Sequence, residues 1–271
     1  MELSQLINNA TDLPKIPEVV QKLLDSFNSA ESDADSIAEQ LSQDQSLTAK
    51  VLRMANSSHF GGARKIGSVN DAVVFLGLNS LRTLVLASGI ASSFKAPEHI
   101  DIKQFWRDSF AMAGACRWVC QFSQRELDRE LAFTCGMMHN VGTILISILC
   151  PEDALEIHHL VSQGANREDL EQSRLGFTNV EAGAELSERW RFPTAMGDAL
   201  RYQYNPADSE SEYAAVLHLA HYVVAMNASE NKESMMANFP SAIAEGIDID
   251  LVAMLEDVDN ACDDNFDDLF A

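Results

Sequence analysis

Basic residues are scarce in this chain. It carries 19 Lys and Arg against 41 Asp and Glu, a formal net charge of −22 over 271 residues, and no Lys or Arg follows Lys232. Negative charge on that scale repels nucleic acid and anionic lipid surfaces at long range and favours partners with basic faces. Neither DNA nor a membrane is therefore expected as a partner. Long apolar runs are missing as well, and no segment is expected to reach the roughly 20 apolar residues that a bilayer crossing takes. The opening Met1-Glu2-Leu3-Ser4 has neither a positive n-region nor an apolar h-region, so a secretory leader is not expected. Cysteine is sparse and odd in number: Cys116, Cys120, Cys135, Cys150 and Cys262. Most sit inside apolar runs, which argues against a disulfide framework and for buried thiols in a reducing, cytoplasmic setting. Cys116 and Cys120 lie one helical turn apart, but no further Cys or His stands at finger spacing, so they read as core rather than as a metal pair. Strand signals are few. Residues 143–149 form the one serious β candidate, and a buried helix fits that short run equally well.

What the chain has in abundance is helical periodicity. Ile16, Val19, Val20, Leu23, Leu24 and Phe27 make one face of an amphipathic helix, and Leu47, Val51, Leu52 and Ala55 mark another. Ser68 and Asp71 suit a helix start, Gly77 a C-terminal cap, and Asn79 the start of a following helix through Leu81, Leu84, Val85 and Leu86. Thr178 and Glu181 form a capping-box pattern that predicts a helix to about Trp190. Pro193 opens another that reaches Tyr204, and a further helix covers 212–227. The periodicity breaks near 94–100, the best internal boundary. In the acidic C-terminal stretch, Leu251, Leu255, Val258, Cys262 and Phe266 keep helical spacing. That stripe is expected to dock on the body, with residues 263–271 partly disordered. The expected fold class is all-α.

One short stretch carries the chemistry. Gly136-Met137-Met138-His139-Asn140-Val141-Gly142 reads as a helical corner where a His-Asp pair would offer a metal both an imidazole and a carboxylate. Here the second position is Asn140, a neutral and weak ligand that leaves a cation's charge uncompensated.

Two further segments carry a resemblance. The first runs through Leu13-Pro14-Lys15-Ile16-Pro17, residues 41–48 and Met54-Ala55-Asn56-Ser57. The second is Asp71-Ala72-Val73-Val74-Phe75-Leu76-Gly77-Leu78-Asn79-Ser80-Leu81-Arg82. Together they resemble the HDOD domain of bacterial signalling proteins, a catalytically degenerate relative of the HD and HD-GYP phosphohydrolases. The likeness covers about 13–206. It implies an HD-domain-like helical bundle with an N-terminal helical lobe of about 1–95, an HD-like lobe of about 100–227 and an acidic helical extension over 228–271. It also implies a regulatory role without a cofactor, exercised through signalling proteins or through a nucleotide or other small polar ligand.

Carried over by position, the resemblance puts Asp108 at the first metal histidine and keeps His139, while Asn140 replaces the aspartate. Asn179 stands for a further histidine, Gln203 and Tyr204 for a histidine pair, and His221 for the last aspartate. These seven residues are expected to line a vestigial pocket. Hydrolysis through two metals needs anionic donors and a bridging water of lowered pKa, and amides supply neither. The alternative is a metal-dependent phosphodiesterase with a reduced site of Asp108, His139 and His221, since three ligands and a water make a workable zinc set. His218 and His221 lie three apart and read as one packed and one hydrogen-bonded residue. His158 and His159 are consecutive and point to different faces. The segment from Val73 to Leu86 imitates a helix-turn-helix, yet it offers little beyond Arg82 for phosphates or base edges and reads as a buried helix. Asn56 and Ser57 are expected to end a helix and fix the next loop.

Overall fold

The computed structural model describes residues 3–10, 13–28, 34–56, 65–94 and 97–261. Among them there are helices and short helical turns but no strand beyond one isolated antiparallel bridge between Ser123 and Ile249. The fold is all-α, with residues 141–149 helical. That run is enclosed on nearly all sides, and burial of this kind erases the alternation that separates strand from helix in sequence. The chain forms two compact units, one from Lys15–Phe94 and one from the described residues of Met1–Pro14 and Lys95–Ala261.

The helix α1 (Leu3–Asn9) belongs to the larger unit, whereas α2 (Glu18–Asn28), α3 (Ala34–Ser42), α4 (Gln45–Ala55) and α5 (Val69–Ser93) make up the smaller one. In that smaller unit α2, α3 and α4 all pack on α5. Its core includes Val20, Leu23, Ile37, Leu41, Val51 and Leu84, all essentially inaccessible. Each such side chain contributes about 1.5–3 kcal/mol of transfer free energy. The expected faces of α2 and α4 are there, with Met54 joining the second. The side chains of Leu24 and Phe27 lie outside the described set. Asp44 caps α4 by accepting the Leu47 N–H at 2.9 Å. Asn56 does what a helix-ending amide can do. Its Nδ2 donates to the Leu52 and Ile66 carbonyls and its Oδ1 accepts from the Ile66 N–H, pinning the chain beyond the helix. Ser57 is outside the described residues. Gly77, at φ 78° and ψ 168°, breaks α5 into two helices, a left-handed conformation that glycine adopts without penalty. The second of these is the apparent recognition helix, and Leu81, Leu84, Val85 and Ile90 bury it.

The larger unit continues with α6 (Ile102–Val119), α7 (Arg129–Met138), α8 (Val141–Leu149), α9 (Pro151–Ser162), α10 (Arg167–Leu175), α11 (Asn179–Arg189), α12 (Thr194–Arg201) and α13 (Glu212–Ala228). The short helices α14 (Lys232–Ala237), α15 (Ser241–Gly246) and α16 (Leu251–Glu256) follow. The Thr178 capping box opens α11 as its residues dictate, with both reciprocal hydrogen bonds made. Cys116, Cys120 and Cys135 are buried free thiols, and burial raises all three pKa values, so they remain protonated core residues.

Two features depart from the sequence expectation, and one follows it. The described residues of Met1–Pro14 group with the larger unit rather than with an N-terminal lobe, because the Trp190 indole donates to the Pro14 carbonyl at 3.2 Å and Arg189 donates to Asn8 at 2.9 Å. The acidic extension docks on that unit as far as Ala261, as its apolar spacing predicts. Asp250 N donates to the Phe122 carbonyl, Trp118 Nε1 to Asp257, and Arg125 is clasped by Asp248 and Glu212. Its buried stripe is Met254, Val258 and Ala261, while Cys262, Phe266 and the rest of 263–271 fall outside the described residues. Finally, two helical stretches, Val69–Ser93 and Arg129–Leu149, are long and apolar enough to cross a membrane, contrary to the expectation of none. In their most apolar parts 56% and 72% of the residues are buried within the protein, as in the core helices of a globular unit.

Two glycines set how closely the helices of the larger unit approach. A Cβ on Gly136 would lie 2.5 Å from the Ala113 backbone, so α7 rests directly on α6. A Cβ on Gly142 would lie 1.8 Å from the Asn179 carbonyl oxygen, so α8 and α11 meet backbone to backbone. Gly142→Ala is expected to destabilise the protein by at least about 3 kcal/mol, the upper end of overpacking penalties. Gly246→Ala, where an added Cβ meets nothing within 4 Å, should stay within about 0.5 kcal/mol of the parent. Urea unfolding of both variants checks the pair, and equal effects would mean that α8 and α11 do not touch in this way.

Candidate functional site

The corner between α7 and α8 is built by its local sequence. Helix α7 ends at Met138, and His139 caps it with a backbone N–H to the Gly136 carbonyl at 3.3 Å. Asn140 leaves helical geometry at φ −121°, ψ 9°, and α8 restarts at Val141. Gly136 and Gly142 flank the turn and let both helices sit against their neighbours, which aims His139 and Asn140 toward α11, α12 and α13.

The His139 ring is half-buried. Its Nδ1 lies 2.7 Å from the Gly136 carbonyl oxygen, which can only accept, so Nδ1 carries the proton and Nε2 keeps the lone pair. Its ring centroid stands 5.3 Å from that of His221 on α13, in edge-to-face geometry, and the Tyr204 ring lies 5.1 Å from that of His221, tilted by 33°. Between these groups sits Gln203, fully buried. Its Nε2 donates to the His139 carbonyl at 3.0 Å and to the Leu200 carbonyl at 2.9 Å, which settles which end of the amide is the NH₂. The Oε1 therefore faces His221 Nε2 at 2.7 Å and makes that nitrogen the proton donor. The backbone carbonyl of Gln203 takes His218 Nδ1 at 3.1 Å, so His218 is a hydrogen-bonded supporting residue.

A second set of polar groups adjoins the first through the His139–Asn140 peptide. Asn140 Oδ1 accepts from the Thr143 hydroxyl at 2.6 Å and from Asn179 Nδ2 at 3.2 Å. The backbone N–H of Asn179 donates to Glu171 Oε2 at 2.6 Å, and Arg167 reaches Glu171 Oε1 at 3.3 Å. Six of the seven expected residues thus come together as two adjoining networks. The seventh, Asp108, is exposed on α6, accepts the Gln104 amide at 2.8 Å and acts on His139 through its field.

Electrostatics keep both imidazoles neutral. Burial lowers the His139 pKa to about 4, against smaller opposing effects of the Gly136 hydrogen bond and the Asp108 charge. Burial lowers His221 to about 3, helped by His139 and His218. Among the described residues no three His, Cys, Asp or Glu side chains gather in a set that could hold a metal ion.

Sequence reasoning missed Thr143 and Glu171. Glu171 is a buried carboxylate whose pKa burial raises, opposed by the Asn179 N–H and Arg167. The one signal in the sequence was its i,i+4 spacing from Arg167, a pattern shared with every solvated helical ion pair.

The HDOD domain family matches residues 13–206 of this chain. A protein from Shewanella amazonensis, named provisionally as a phosphohydrolase, has a solved structure 31% identical in sequence with a TM-score of 0.82, covering 95% of this chain and 94% of that one. An HDOD domain protein of unknown function from Geobacter sulfurreducens is 22% identical with a TM-score of 0.77, covering 96% of each chain. A protein from Marinobacter aquaeolei, named provisionally for signal transduction, is 23% identical at a TM-score of 0.67, covering 94% of this chain and 63% of that one. An uncharacterized protein of Treponema pallidum is 20% identical over 217 residues, which is 79% of this chain. The chain spans less than half (42%) of that curated relative.

The two depressed imidazoles make stability depend on pH in a definite direction. The unfolded chain takes up protons near the usual histidine value of about 6.5, while the folded protein resists until about 4 at His139 and about 3 at His221. Between those values the unfolded state binds more protons, so lowering the pH through that window destabilises the fold. Urea unfolding at pH values across the window should show that loss, and His221→Gln should flatten it. A profile unchanged by that substitution would count against a neutral, buried His221.

Proposed function

Because the chain belongs to the HDOD family, we propose that it is a non-catalytic signal-transduction protein that works by binding. The corner formed by His139, Asn140, Asn179, Gln203, Tyr204 and His221 would receive a small polar ligand or a segment of a signalling protein. The observation that carries this reading is the Gln203 amide. Its orientation is dictated by two carbonyls, and as a result His221 Nε2 is a proton donor rather than a lone pair. A histidine in that state does not ligate a cation through that nitrogen.

The residues present do not fit a hydrolytic di-metal centre. Of the candidate donors, His139 offers its Nε2 lone pair, His221 carries its lone pair on Nδ1 rather than on the nitrogen held by Gln203, Asp108 is engaged with Gln104 on the surface, and Asn140, Asn179 and Gln203 are neutral. What the corner does offer is a mixture of aromatic faces and amide or imidazole hydrogen-bonding groups, the surroundings that hold a flat polar molecule. A nucleotide is the first class to test. The alternative of a metal-dependent phosphohydrolase draws on the name of the Shewanella relative and on the ligand-like setting of His139, whose Nδ1–H is held by a carbonyl as in many metal sites.

The protein incubated with manganese or zinc and then desalted should retain far less than one ion per chain and should not turn over a generic phosphodiester. Stoichiometric metal, with hydrolysis abolished in His139→Ala, would overturn the reading. Thermal melts with nucleotides and cyclic dinucleotides test the ligand. One present at a hundredfold over its dissociation constant stabilises by about 2.7 kcal/mol, and the gain should vanish in Tyr204→Ala if the stack on His221 is used.

A further inference from the structure

Next to the Asn140–Asn179 network lies a small cavity that the reading above does not use. Its volume is about 10 Å³, and its lining includes His99, Thr143, Ser147, His158, Arg167 and Glu171. That is room for about one water-sized group. The exposed His158 stands at its edge, while Ser147 and Glu171 are buried.

Hydrogen bonding sets the polarity of this cavity. Ser147 gives its one hydroxyl proton to the Thr143 carbonyl at 2.8 Å. It can then only accept from His99 Nε2, 3.2 Å away, which makes that nitrogen a donor. The ring of His158 lies 5.5 Å from that of His99, tilted by 59°. Arg167 uses one terminal nitrogen on Glu171 at 3.3 Å, and a guanidinium has five N–H groups. Glu171 is occupied on its other oxygen by the Asn179 N–H at 2.6 Å, so its charge is directed inward. Three nitrogen-bearing side chains thus converge from three segments: the loop before α6, α9 and α10. A positive charge on His99 would be opposed by its neighbours. The His99 pKa is lowered by burial first and then by His158 and Arg167. The charged or titratable groups lining the cavity with His99 are His158 on α9 and Arg167 and Glu171 on α10, while α8 contributes only hydroxyls.

We propose that this cavity is an oxyanion site that takes one oxygen of a phosphoryl group, the remainder of the group lying at the mouth beside His158. One oxygen matches the enclosed volume. A negative charge there offsets the field of the Arg167 guanidinium, accepts from the imidazole and guanidinium N–H groups and gives Arg167 a second partner. A cation is disfavoured by that same guanidinium. The ligand class is a phosphorylated small molecule or inorganic phosphate, and the site depends on neither His139 nor His221.

The test is a titration of the histidine ring resonances of the full chain with inorganic phosphate near pH 6, at ionic strength held constant with chloride. His99 and His158 should shift saturably and together. Sulfate, which does not titrate in this range, should bind more tightly as the pH falls, because binding draws a proton onto His99. Arg167→Gln, which retains a donor for Glu171, should weaken phosphate by at least about tenfold, the size of one charge-assisted hydrogen bond. His158→Gln, at an exposed position that does not endanger folding, should weaken sulfate binding. Phosphorylated metabolites that bind more tightly than inorganic phosphate would identify a small molecule as the natural occupant, and equal affinity would identify the free anion. A linear, unsaturated response of His99 and His158 to phosphate, or wild-type affinity in folded Arg167→Gln, would overturn the proposal and leave the cavity as a place for water.

Discussion

A buried primary amide must satisfy four hydrogen-bonding directions inside the protein, and Gln203 comes close to doing so with groups from three helices. Its NH₂ joins the carbonyl of His139 at the α7–α8 corner to that of Leu200 in α12, and its oxygen holds His221 of α13. Leaving any of these unmade would strand a polar group in a low-dielectric interior, at about 1–3 kcal/mol each. The arrangement therefore has few ways to relax. The corner, the end of α12 and the middle of α13 hold their mutual positions, and the tautomer of His221 follows from them.

The same economy governs the charges. With so few bases on the chain, those present act as pins for acidic segments of the larger unit. Arg125 ties the extension through Asp248 and α13 through Glu212, Lys232 holds Asp259, Arg117 meets Glu130, and Arg174 meets Glu156. Several of these pairs are exposed and individually worth little, of order 0–1 kcal/mol. Their value lies in orientation, since each joins segments well separated in sequence. The His139 corner is neutral by a different route, with its titratable groups kept uncharged by burial. The small cavity next to the Asn140–Asn179 network is where basic groups converge without an equal number of acids, against the overall sign of the molecule.

Much of the fold was legible residue by residue. The faces of α2 and α4, the Ser68 start, the break at Gly77, the Thr178 capping box and the boundary near Phe94 all follow from local rules of periodicity and capping, which act within a few residues and so are written in the order of the amino acids. The α8 segment was ambiguous because it is enclosed on nearly all sides, and full burial removes the alternation that distinguishes the two regular structures. The expectation that no segment is apolar enough to span a bilayer failed for a related reason: Val69–Ser93 and Arg129–Leu149 are that apolar because much of their surface is buried within the protein. The resemblance to HDOD domains, carried by the motifs around Leu13, Ser46, Asn56 and Leu76, pointed to seven residues, six of which meet at the corner, but gave no sign of Glu171 or Thr143 beside them.

By itself the order of residues determined the helical class, the family, the capping sites and the presence of Asn140 where a carboxylate would complete a ligand pair. The tertiary structure alone decided that Asp108 faces solvent, that Gln203 turns His221 into a donor, and that His99, His158 and Arg167 surround one cavity. The physical reason is range. Backbone propensities are settled by neighbours in sequence, whereas a proton's position on an imidazole or the charge around a cavity depends on groups tens of residues apart that meet only when the helices pack.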